Sequence, residues 1–291
     1  MEDSFPMTEG ERWTRGALLE LRTARYTIPA WRRFLARALE RAGDGRRWNR
    51  RAHGQALVLF GVGLATWAAV GLAGYPVLAA VGGFWWLLVA LMLDWHLGML
   101  ERADGRRLQG LGVANVVTLT RAGVVPALLA LSPTALAVAL LVAGASDVLD
   151  GWWARRRDEV TRLGFWLDGT IDTLVLGVGV AAAARVGLVP SWIAGLVVVR
   201  YAFPWLAVAG LYFVHAQGPP GDGHVSGRIP GAALVVGVAL AAVHPPAGAG
   251  LAAAGAIGGL IVVFLTTVRS MQLRDSSVAA GVRDPGFMTD S

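Results

Sequence analysis

A series of long apolar stretches, following a polar and basic amino-terminal segment, constrains the fold of this chain more than any other feature. Most of them are close to the ~20 residues that a helix needs to cross the roughly 30 Å hydrocarbon layer of a membrane. Prolines such as Pro76, Pro133 and Pro190 lie at their boundaries, where a missing backbone NH disturbs a helix least. We predict an all-α integral membrane protein with about eight transmembrane helices, over residues 55–73, 76–100, 113–131, 134–153, 163–184, 188–213, 229–244 and 248–268.

The composition agrees with this class and excludes several kinds of chemistry. Of the 291 residues, 55% are hydrophobic and 16% are charged, whereas soluble domains carry about 25% charged residues. Cysteine is absent, which excludes disulfides, thiolate metal sites and a cysteine nucleophile. A bound metal ion would therefore need oxygen or imidazole ligands.

The distribution of arginine predicts the topology. If successive helices alternate in direction, 23 of the 26 arginines fall in loops or termini on one side of the membrane, and the opposite loops hold only Arg185. Because cytoplasmic loops concentrate arginine, both termini and the loop 154–162 are predicted to be cytoplasmic, in the inner or plasma membrane. The arginines flank apolar runs without forming an aromatic-interleaved surface, so the net charge of +6 indicates anionic lipid headgroups as partners and not nucleic acid.

Two polar segments are predicted to flank the membrane region. Residues 1–54 lack a secretory signal and are expected to form a basic cytoplasmic segment with an amphipathic helix. The pattern is typical of a helix along a membrane surface, with a solvated basic helix as the alternative. Residues 271–291 are expected to be a disordered cytoplasmic tail. The apolar face of the helix comprises Trp31, Phe34, Leu35, Ala38 and Leu39, and the basic face comprises Arg32, Arg33, Arg37 and Arg41.

Four aspartates within apolar stretches form the strongest candidate site. Asp147 and Asp150 are three residues apart near the end of one predicted helix, and Asp168 and Asp172 are four apart near the start of the next. These spacings place each pair on a single helix face, and the short connection makes the two helices antiparallel neighbours. Four carboxylates at close range need a cation among them, and hard oxygen ligands favour Mg²⁺, Mn²⁺ or Ca²⁺ over zinc. The alternative is salt bridges to Arg155, Arg156, Arg157 and Arg162.

The loop beside these aspartates supplies groups suited to phosphate. Mg²⁺ held by carboxylates commonly takes phosphate oxygens as further ligands. Gly151 permits close approach of a ligand to the backbone, Arg155 can form a bidentate contact with phosphate, and Thr161 offers a hydroxyl. We therefore expect a substrate that bears a phosphate or a diphosphate at this site.

These residues resemble the signature of the CDP-alcohol phosphotransferase family, also called CDP-alcohol phosphatidyltransferases. The family pattern is Asp-x2-Asp-Gly-x2-Ala-Arg-x8-Gly-x3-Asp-x3-Asp, and a spaced pattern of this length is a specific signal. The resemblance implies a six-helix catalytic domain over residues 113–270, preceded by two extra helices in 55–100 and a cytoplasmic juxtamembrane segment, 101–112. All eight specified positions match, namely Asp147, Asp150, Gly151, Ala154, Arg155, Gly164, Asp168 and Asp172.

The resemblance also implies a reaction. An alcohol hydroxyl displaces CMP from a CDP-linked lipid, usually CDP-diacylglycerol, with Mg²⁺ or Mn²⁺ as cofactor and a homodimer as the assembly. Asp147, Asp150 and Asp168 would be metal ligands, and Asp172 would both contact the metal and accept the proton of the hydroxyl. Gly151, Arg155 and Thr161 would contact the cytidine diphosphate. The acceptor alcohol stays open among glycerol phosphate, inositol phosphate, another lipid and an unphosphorylated alcohol.

A second polar pattern resembles the same family. Asn115, Thr118 and Arg121 match its Asn-x2-Thr-x2-Arg stretch and form one stripe on a predicted helix. By this resemblance Asn115 and Thr118 are assigned to the donor, and Arg121 to the acceptor together with Arg200 and Arg228. The alternative for the stripe is a structural role, in which its side chains bond neighbouring helices. The alternative for Arg200 and Arg228 is pairing with another helix or extension of the side chain to the membrane–water interface.

Weaker features complete the analysis. Asp94 and His96 are interpreted as interfacial polar residues, since two isolated groups make no metal site. Asp222 and His224 lie in a Gly/Pro-rich loop, 214–228, that is expected to cover the site.

Two other functions compete with phosphatidyl transfer. An intramembrane prenyltransferase also places aspartates around Mg²⁺ and diphosphate, but that class resembles Asn-Asp-x2-Asp boxes on two separated parts of the chain, whereas this sequence has one compact motif. A divalent-cation transporter should show inverted repeats and carboxylates deep in the bilayer, whereas these aspartates are predicted at its cytoplasmic edge.

Overall fold

The computed structural model describes residues 8–102, 104–215 and 228–279, and it is helical almost throughout. Within those ranges the only β structure is an isolated antiparallel bridge between Glu101 and Arg107. The helices are α1 (Glu9–Thr23), α2 (Ile28–Trp48), α3 (Arg50–Leu72), α4 (Pro76–His96), α5 (Val113–Leu128), α6 (Pro133–Arg156), α7 (Arg162–Arg185), α8 (Ser191–His215), α9 (Arg228–Ala241) and α10 (Pro245–Ala279).

The eight predicted apolar stretches correspond to α3 to α10, which confirms an all-α, multi-pass membrane protein. Among the described residues, six helices are long and apolar enough to span a membrane: α3, α4, α6, α7, α8 and α10. Helices α5 and α9 are also apolar but have only 16 and 14 residues. The number of eight spans therefore stays a prediction, because a helix this short covers only part of a ~30 Å hydrocarbon layer.

The two helices that precede the family-like region pack on each other through tryptophan and glycine. Gly63 of α3 leaves room for Trp86 of α4, and Gly82 of α4 leaves room for Trp67 of α3; a Cβ on either glycine would overlap the indole. The neighbouring Trp85 donates its indole NH to the carbonyl of Ala122 in α5 at 2.7 Å. These contacts hold the α3–α4 pair against α5.

Small residues also allow α9 and α10 to approach closely. A Cβ at Gly237, Gly248 or Gly255 would overlap the backbone of the facing helix. Without a strong hydrophobic driving force between helices in lipid, such close backbone packing stabilises their association. The pair forms one wall of the bundle, with α10 against α8 and α9 against α6.

The amino-terminal segment contains two helices, where sequence analysis identified only the second. Helix α1 begins with a capping box between Thr8 and Glu11, a short-range signal that the sequence contains. The predicted apolar face of α2 is divided. Trp31 packs against Phe213 of α8 with ring centroids 5.8 Å apart, whereas Leu35 and Leu39 remain exposed.

Helix α10 ends later than the sequence pattern predicts. It continues to Ala279, beyond the predicted end at residue 268 and into the expected disordered tail, because its polar extension is rich in good helix formers such as Met, Gln, Leu and Arg. The rest of the tail and the predicted covering loop with Asp222 and His224 lie outside the described residues.

Candidate metal and phosphate site

The four aspartates are positioned by α6, α7 and the tight turn between them. Helix α6 carries Asp147 and Asp150 in its last three turns, and α7 carries Asp168 and Asp172 in its first three. The turn includes Asp158 in the left-handed region, with φ of +57°. Thr161 then caps α7 by accepting the backbone NH of Gly164 at 3.0 Å. The turn reverses the chain so that the two acidic faces meet.

Three of the carboxylates lie close enough to share one ion. Oxygen atoms of Asp147, Asp150 and Asp168 all lie within 4.8 Å of one another. The Asp150 side chain is only 3% exposed, whereas those of Asp147 and Asp168 are 35% and 43% exposed. Asp150 therefore forms the floor of the site, and the other two line its accessible side.

Arg121 of α5 links all four aspartates. Its Nη1 donates to Asp147 at 3.1 Å and to Asp172 at 2.6 Å, and its Nη2 donates to Asp150 at 2.9 Å and to Asp168 at 2.8 Å. The guanidinium is buried, with a side chain only 6% exposed. Asp172, which stands outside the group of three, joins the site through this contact.

Three of the four arginines suggested as alternative partners of the aspartates are directed elsewhere. Arg156 and Arg157 stack over Trp152 and Trp153, each with its guanidinium carbon 5.1 Å from the ring centroid. Arg162 forms an ion pair with Glu11 at 3.2 Å. The ionic partner in the site is instead Arg121, which sequence analysis assigned to the acceptor.

The charges and donor atoms of this cluster suit a divalent cation. Four carboxylates and one guanidinium carry three negative charges in excess when all are ionised, and like charges this close are unfavourable without further compensation. The guanidinium already shows that a cationic group fits among these oxygens. Carboxylate oxygens without thiolate or imidazole are the ligands that Mg²⁺ and Mn²⁺ prefer. The residues present therefore fit the expected metal.

The polar stripe on α5 contacts the aspartates and α7. Thr118 donates its hydroxyl to Asp150 at 3.0 Å. Asn115 donates to the carbonyl of Leu111 at 2.6 Å, and its Oδ1 would lie 2.8 Å from a Cβ at Gly164. Gly164, one of the eight signature positions, thus lets α5 approach the start of α7 beside Thr161.

Gly151 and Arg155 lie together at the carboxyl end of α6. A Cβ at Gly151 would be 3.2 Å from Nη1 of Arg155, so the arginine folds back over the glycine next to Asp150. The structure therefore brings five residues assigned to the nucleotide to the two ends of the α6–α7 turn and the adjacent face of α5: Asn115, Thr118, Gly151, Arg155 and Thr161.

The other two arginines assigned to the acceptor lie on different helices. Arg200 is buried in α8, with its guanidinium carbon 5.0 Å from the ring centroid of Tyr201. Gly259 of α10 provides the space for this guanidinium, since a Cβ there would overlap it. Arg228 is exposed at the first residue of α9. Sequence reasoning did not single out Tyr201 or Gly259 as neighbours of Arg200. Gly259 is one of 38 glycines, and no local pattern marks it.

Replacing Thr118 with Val is expected to weaken metal binding about 10-fold, at the lower end of the effect of removing a residue that hydrogen-bonds a metal ligand. Valine has a similar shape but leaves Asp150 without its hydroxyl donor. The matched control is Thr120→Val, two residues further along α5, where the hydroxyl bonds only to the helix carbonyl of Val117 at 2.6 Å. Titration with Mn²⁺ followed by electron paramagnetic resonance measures both variants; equal affinities in the two would contradict a role for Thr118.

Comparisons with known proteins identify the family. A probable cardiolipin synthase (CMP-forming) from Drosophila melanogaster is 33% identical over 113 residues, which are 37% of this chain and 34% of that protein. The chain thus matches about a third of that relative's length, and no solved structure matches it. The sequence profile described as CDP-alcohol phosphatidyltransferase matches residues 111–268, more than half of the chain, and that range includes α5, α6, α7 and all four aspartates. This chain belongs to the CDP-alcohol phosphatidyltransferase family.

Proposed function

We propose that this protein transfers a phosphatidyl group from CDP-diacylglycerol to the hydroxyl of a polar alcohol and releases CMP. The observation that carries the proposal is the convergence of four aspartates from α6 and α7 around one cationic group. Family membership supports the CDP-linked donor, and the name of the fruit-fly relative supports CMP as a product. The compact motif favours this reaction over prenyl transfer.

The four aspartates divide between metal binding and proton transfer. Asp147, Asp150 and Asp168 would hold Mg²⁺ or Mn²⁺, which supplies positive charge to the diphosphate and to the departing CMP. Asp172 accepts the proton of the acceptor hydroxyl. The oxygen of that hydroxyl bonds to the phosphorus of the phosphatidyl group, and the bond from this phosphorus to the oxygen of CMP breaks. Arg121 donates to all four carboxylates and would contact the acceptor.

The nucleotide is bound by the residues around the α6–α7 turn. Gly151 leaves the backbone accessible, and Arg155 has the planar donors that suit a phosphate. A Cβ at Gly164 would lie 2.8 Å from Oδ1 of Asn115 and 3.2 Å from Oγ1 of Thr161, so these two side chains both border Gly164. We propose that these residues contact the nucleotide between Asp150 and the start of α7.

The decisive assay mixes purified protein with labelled CDP-diacylglycerol, Mg²⁺ or Mn²⁺, and a panel of acceptors. The panel contains glycerol phosphate, inositol phosphate, an unphosphorylated alcohol and phosphatidylglycerol; the last is included because phosphatidyl transfer to it forms cardiolipin, the product in the relative's name. Acceptor-dependent release of CMP supports the proposal. Release of diphosphate from a prenyl donor, without CMP release, would instead support a prenyltransferase.

Replacing Gly259 with Ala is expected to raise the KM for the acceptor about 10-fold, roughly the loss of one charge-assisted hydrogen bond, with a smaller change in kcat. The added methyl group would overlap the Arg200 guanidinium, the mobile end of a long side chain, so that side chain is displaced while the helix persists. The control is Gly258→Ala, where the nearest atom is 3.9 Å away on Pro230. An unchanged KM in Gly259→Ala would contradict acceptor binding by Arg200.

We also propose that both termini and the site face the cytoplasm, with 1–54 and 101–112 as cytoplasmic segments before and after the α3–α4 pair. The arginine distribution supports this orientation. Because the chain has no cysteine, Asp104→Cys and Val243→Cys each introduce a single thiol, on predicted opposite sides. In sealed inside-out vesicles, an impermeant thiol reagent should label only Asp104→Cys; the reverse pattern would contradict the orientation. A homodimer remains an expectation from the family.

A further inference from the structure

The structure assigns α1 a role in the site: we propose that its first turn braces the α6–α7 turn and so positions Thr161 and Arg155 for the nucleotide. We call Thr8, Gly10 and Glu11 the α1 brace. This inference rests on the proposed function for its effect on catalysis. Helix α1 lies outside the region that matches the family, which begins at residue 111.

The capping box leaves one group on each of its two members available for contacts outside α1. Thr8 Oγ1 accepts the backbone NH of Glu11 at 3.2 Å, and Glu11 Oε2 accepts the backbone NH of Thr8 at 2.8 Å. The hydroxyl hydrogen of Thr8 and Oε1 of Glu11 are not used within the helix. The Thr8 hydroxyl points to Glu101, and Oε1 of Glu11 points to Arg162 of α7.

The first contact runs through Glu101. Thr8 donates its hydroxyl to Glu101 Oε1 at 2.7 Å, and the Glu101 side chain is buried. Gly10 permits this approach, since a Cβ there would be 3.0 Å from the same oxygen. The backbone carbonyl of Glu101 in turn accepts the NH of Arg162, the first residue of α7, at 2.8 Å. A single residue therefore connects α1 to the start of α7.

The second contact is direct. Glu11 Oε1 lies 3.2 Å from Nη2 of Arg162. Arg162 immediately follows Thr161, the cap of α7 and a proposed nucleotide contact. The brace thus reaches the residue next to the site by two independent routes, one through the backbone and one through a side chain.

The 101–112 segment, which carries Glu101, also contacts the α6–α7 turn near the end of α6. Arg102 forms an ion pair with Asp158 at 2.5 Å, and Arg107 pairs with Glu9 of α1 at 3.3 Å. Asp158 has a positive φ, as the residue after a helix C-cap often does, and the backbone NH of Glu159 donates to the carbonyl of Ala154 at 2.9 Å across it. The turn is therefore held from outside as well as by its own hydrogen bonds.

This arrangement predicts an effect on donor binding more than on the chemical step. The brace contacts the turn that carries Thr161 and Arg155, and the described contacts of the aspartates are with Arg121 and Thr118. Loosening the turn removes preorganisation for the diphosphate while leaving the metal ligands in place. Because Glu11 and Arg162 are partly exposed, their ion pair contributes modestly, and we expect changes of several-fold.

The test uses Glu11→Gln in the full-length protein. Glutamine preserves the capping box but removes the charge that pairs with Arg162. The KM for CDP-diacylglycerol should rise about 5-fold while kcat stays within about 2-fold, as expected for loss of a partly exposed ion pair that acts on binding. The matched control is Glu20→Gln on the same helix, which removes an ion pair to Arg37 of α2 and should leave both constants unchanged.

Charge exchange provides a rescue. Glu11→Arg and Arg162→Glu should each raise the KM, and the double variant should recover part of the loss, because the ion pair is re-formed in reverse although the capping box with Thr8 is not. Two results would overturn the brace: a rise in KM in the double variant equal to the product of the two single effects, or a rise in Glu20→Gln equal to that in Glu11→Gln. A general loss of folding would produce both results.

A labelling measurement separates failure of the brace from failure of the proposed reaction. Val160→Cys introduces the only thiol of the chain at an exposed position in the turn. Its rate of reaction with a thiol reagent should increase several-fold when Glu11→Gln is added and not when Glu20→Gln is added. This readout needs no turnover: a rate increase in a protein that releases no CMP would support the brace and reject the reaction. An unchanged rate in Glu11→Gln would overturn the brace.

Discussion

The Asp172→Asn variant is expected to lose CMP release by a factor of about 10² to 10⁴, the typical contribution of a positioned general base. The amide has nearly the same shape as the carboxylate and can still accept the hydrogen bond that Arg121 Nη1 donates at 2.6 Å. It cannot take up the proton of the attacking hydroxyl. The variant should therefore fold and bind donor while the chemical step fails.

Three measurements distinguish this role from a structural one. Donor binding and thermal unfolding of Asp172→Asn should resemble those of the unmodified protein, and only the rate should collapse. The control is Asp44→Asn, which neutralises an exposed aspartate of α2. If Asp172→Asn retains CMP release near the original rate, Asp172 is not the base.

The Asp150→Asn variant is expected to lose more than about 100-fold in Mn²⁺ affinity and a comparable factor in turnover, since removing even a residue that only hydrogen-bonds a metal ligand costs ~10–100-fold. Asp150 is the most buried of the four aspartates, and its Oδ2 accepts from both Thr118 and Arg121. The substitution therefore alters a proposed metal ligand that two donors hold in place.

Thermal unfolding without metal separates loss of binding from loss of folding. Asp150→Asn removes one of four like charges around Arg121, which relieves repulsion in the metal-free protein. Its unfolding temperature should therefore not fall below that of the unmodified protein, whereas stabilisation by added Mn²⁺ should largely disappear. Asp104→Asn, at a side chain that is 38% exposed, is the control. Unchanged Mn²⁺ binding in Asp150→Asn would show that this carboxylate is not a ligand.

The membrane helices were predictable because their two constraints can be read from each stretch of sequence alone. Backbone groups exposed to lipid must be hydrogen-bonded within the same helix, and the thickness of the bilayer sets the length of that helix. Apolar runs of about 20 residues separated by proline and arginine correspond to α3 to α10. The predictions were less accurate where helix ends depend on polar residues. Helix α1 is marked by a capping box that was not recognised, and α10 extends past its apolar run.

The sequence by itself determined that the aspartates form two pairs, each on a single face of one of two consecutive helices, because residues three or four apart are neighbours on a helix surface. Tertiary structure alone decided that Arg121 is the common partner of the four aspartates. It also decided that Thr8 donates a hydrogen bond to Glu101, which is 93 residues further along the chain and lies beside the start of α7. Such pairings depend on which helix faces come together, and that is set by packing at glycines such as Gly164. No local spacing encodes those contacts, since they join residues that are distant along the chain.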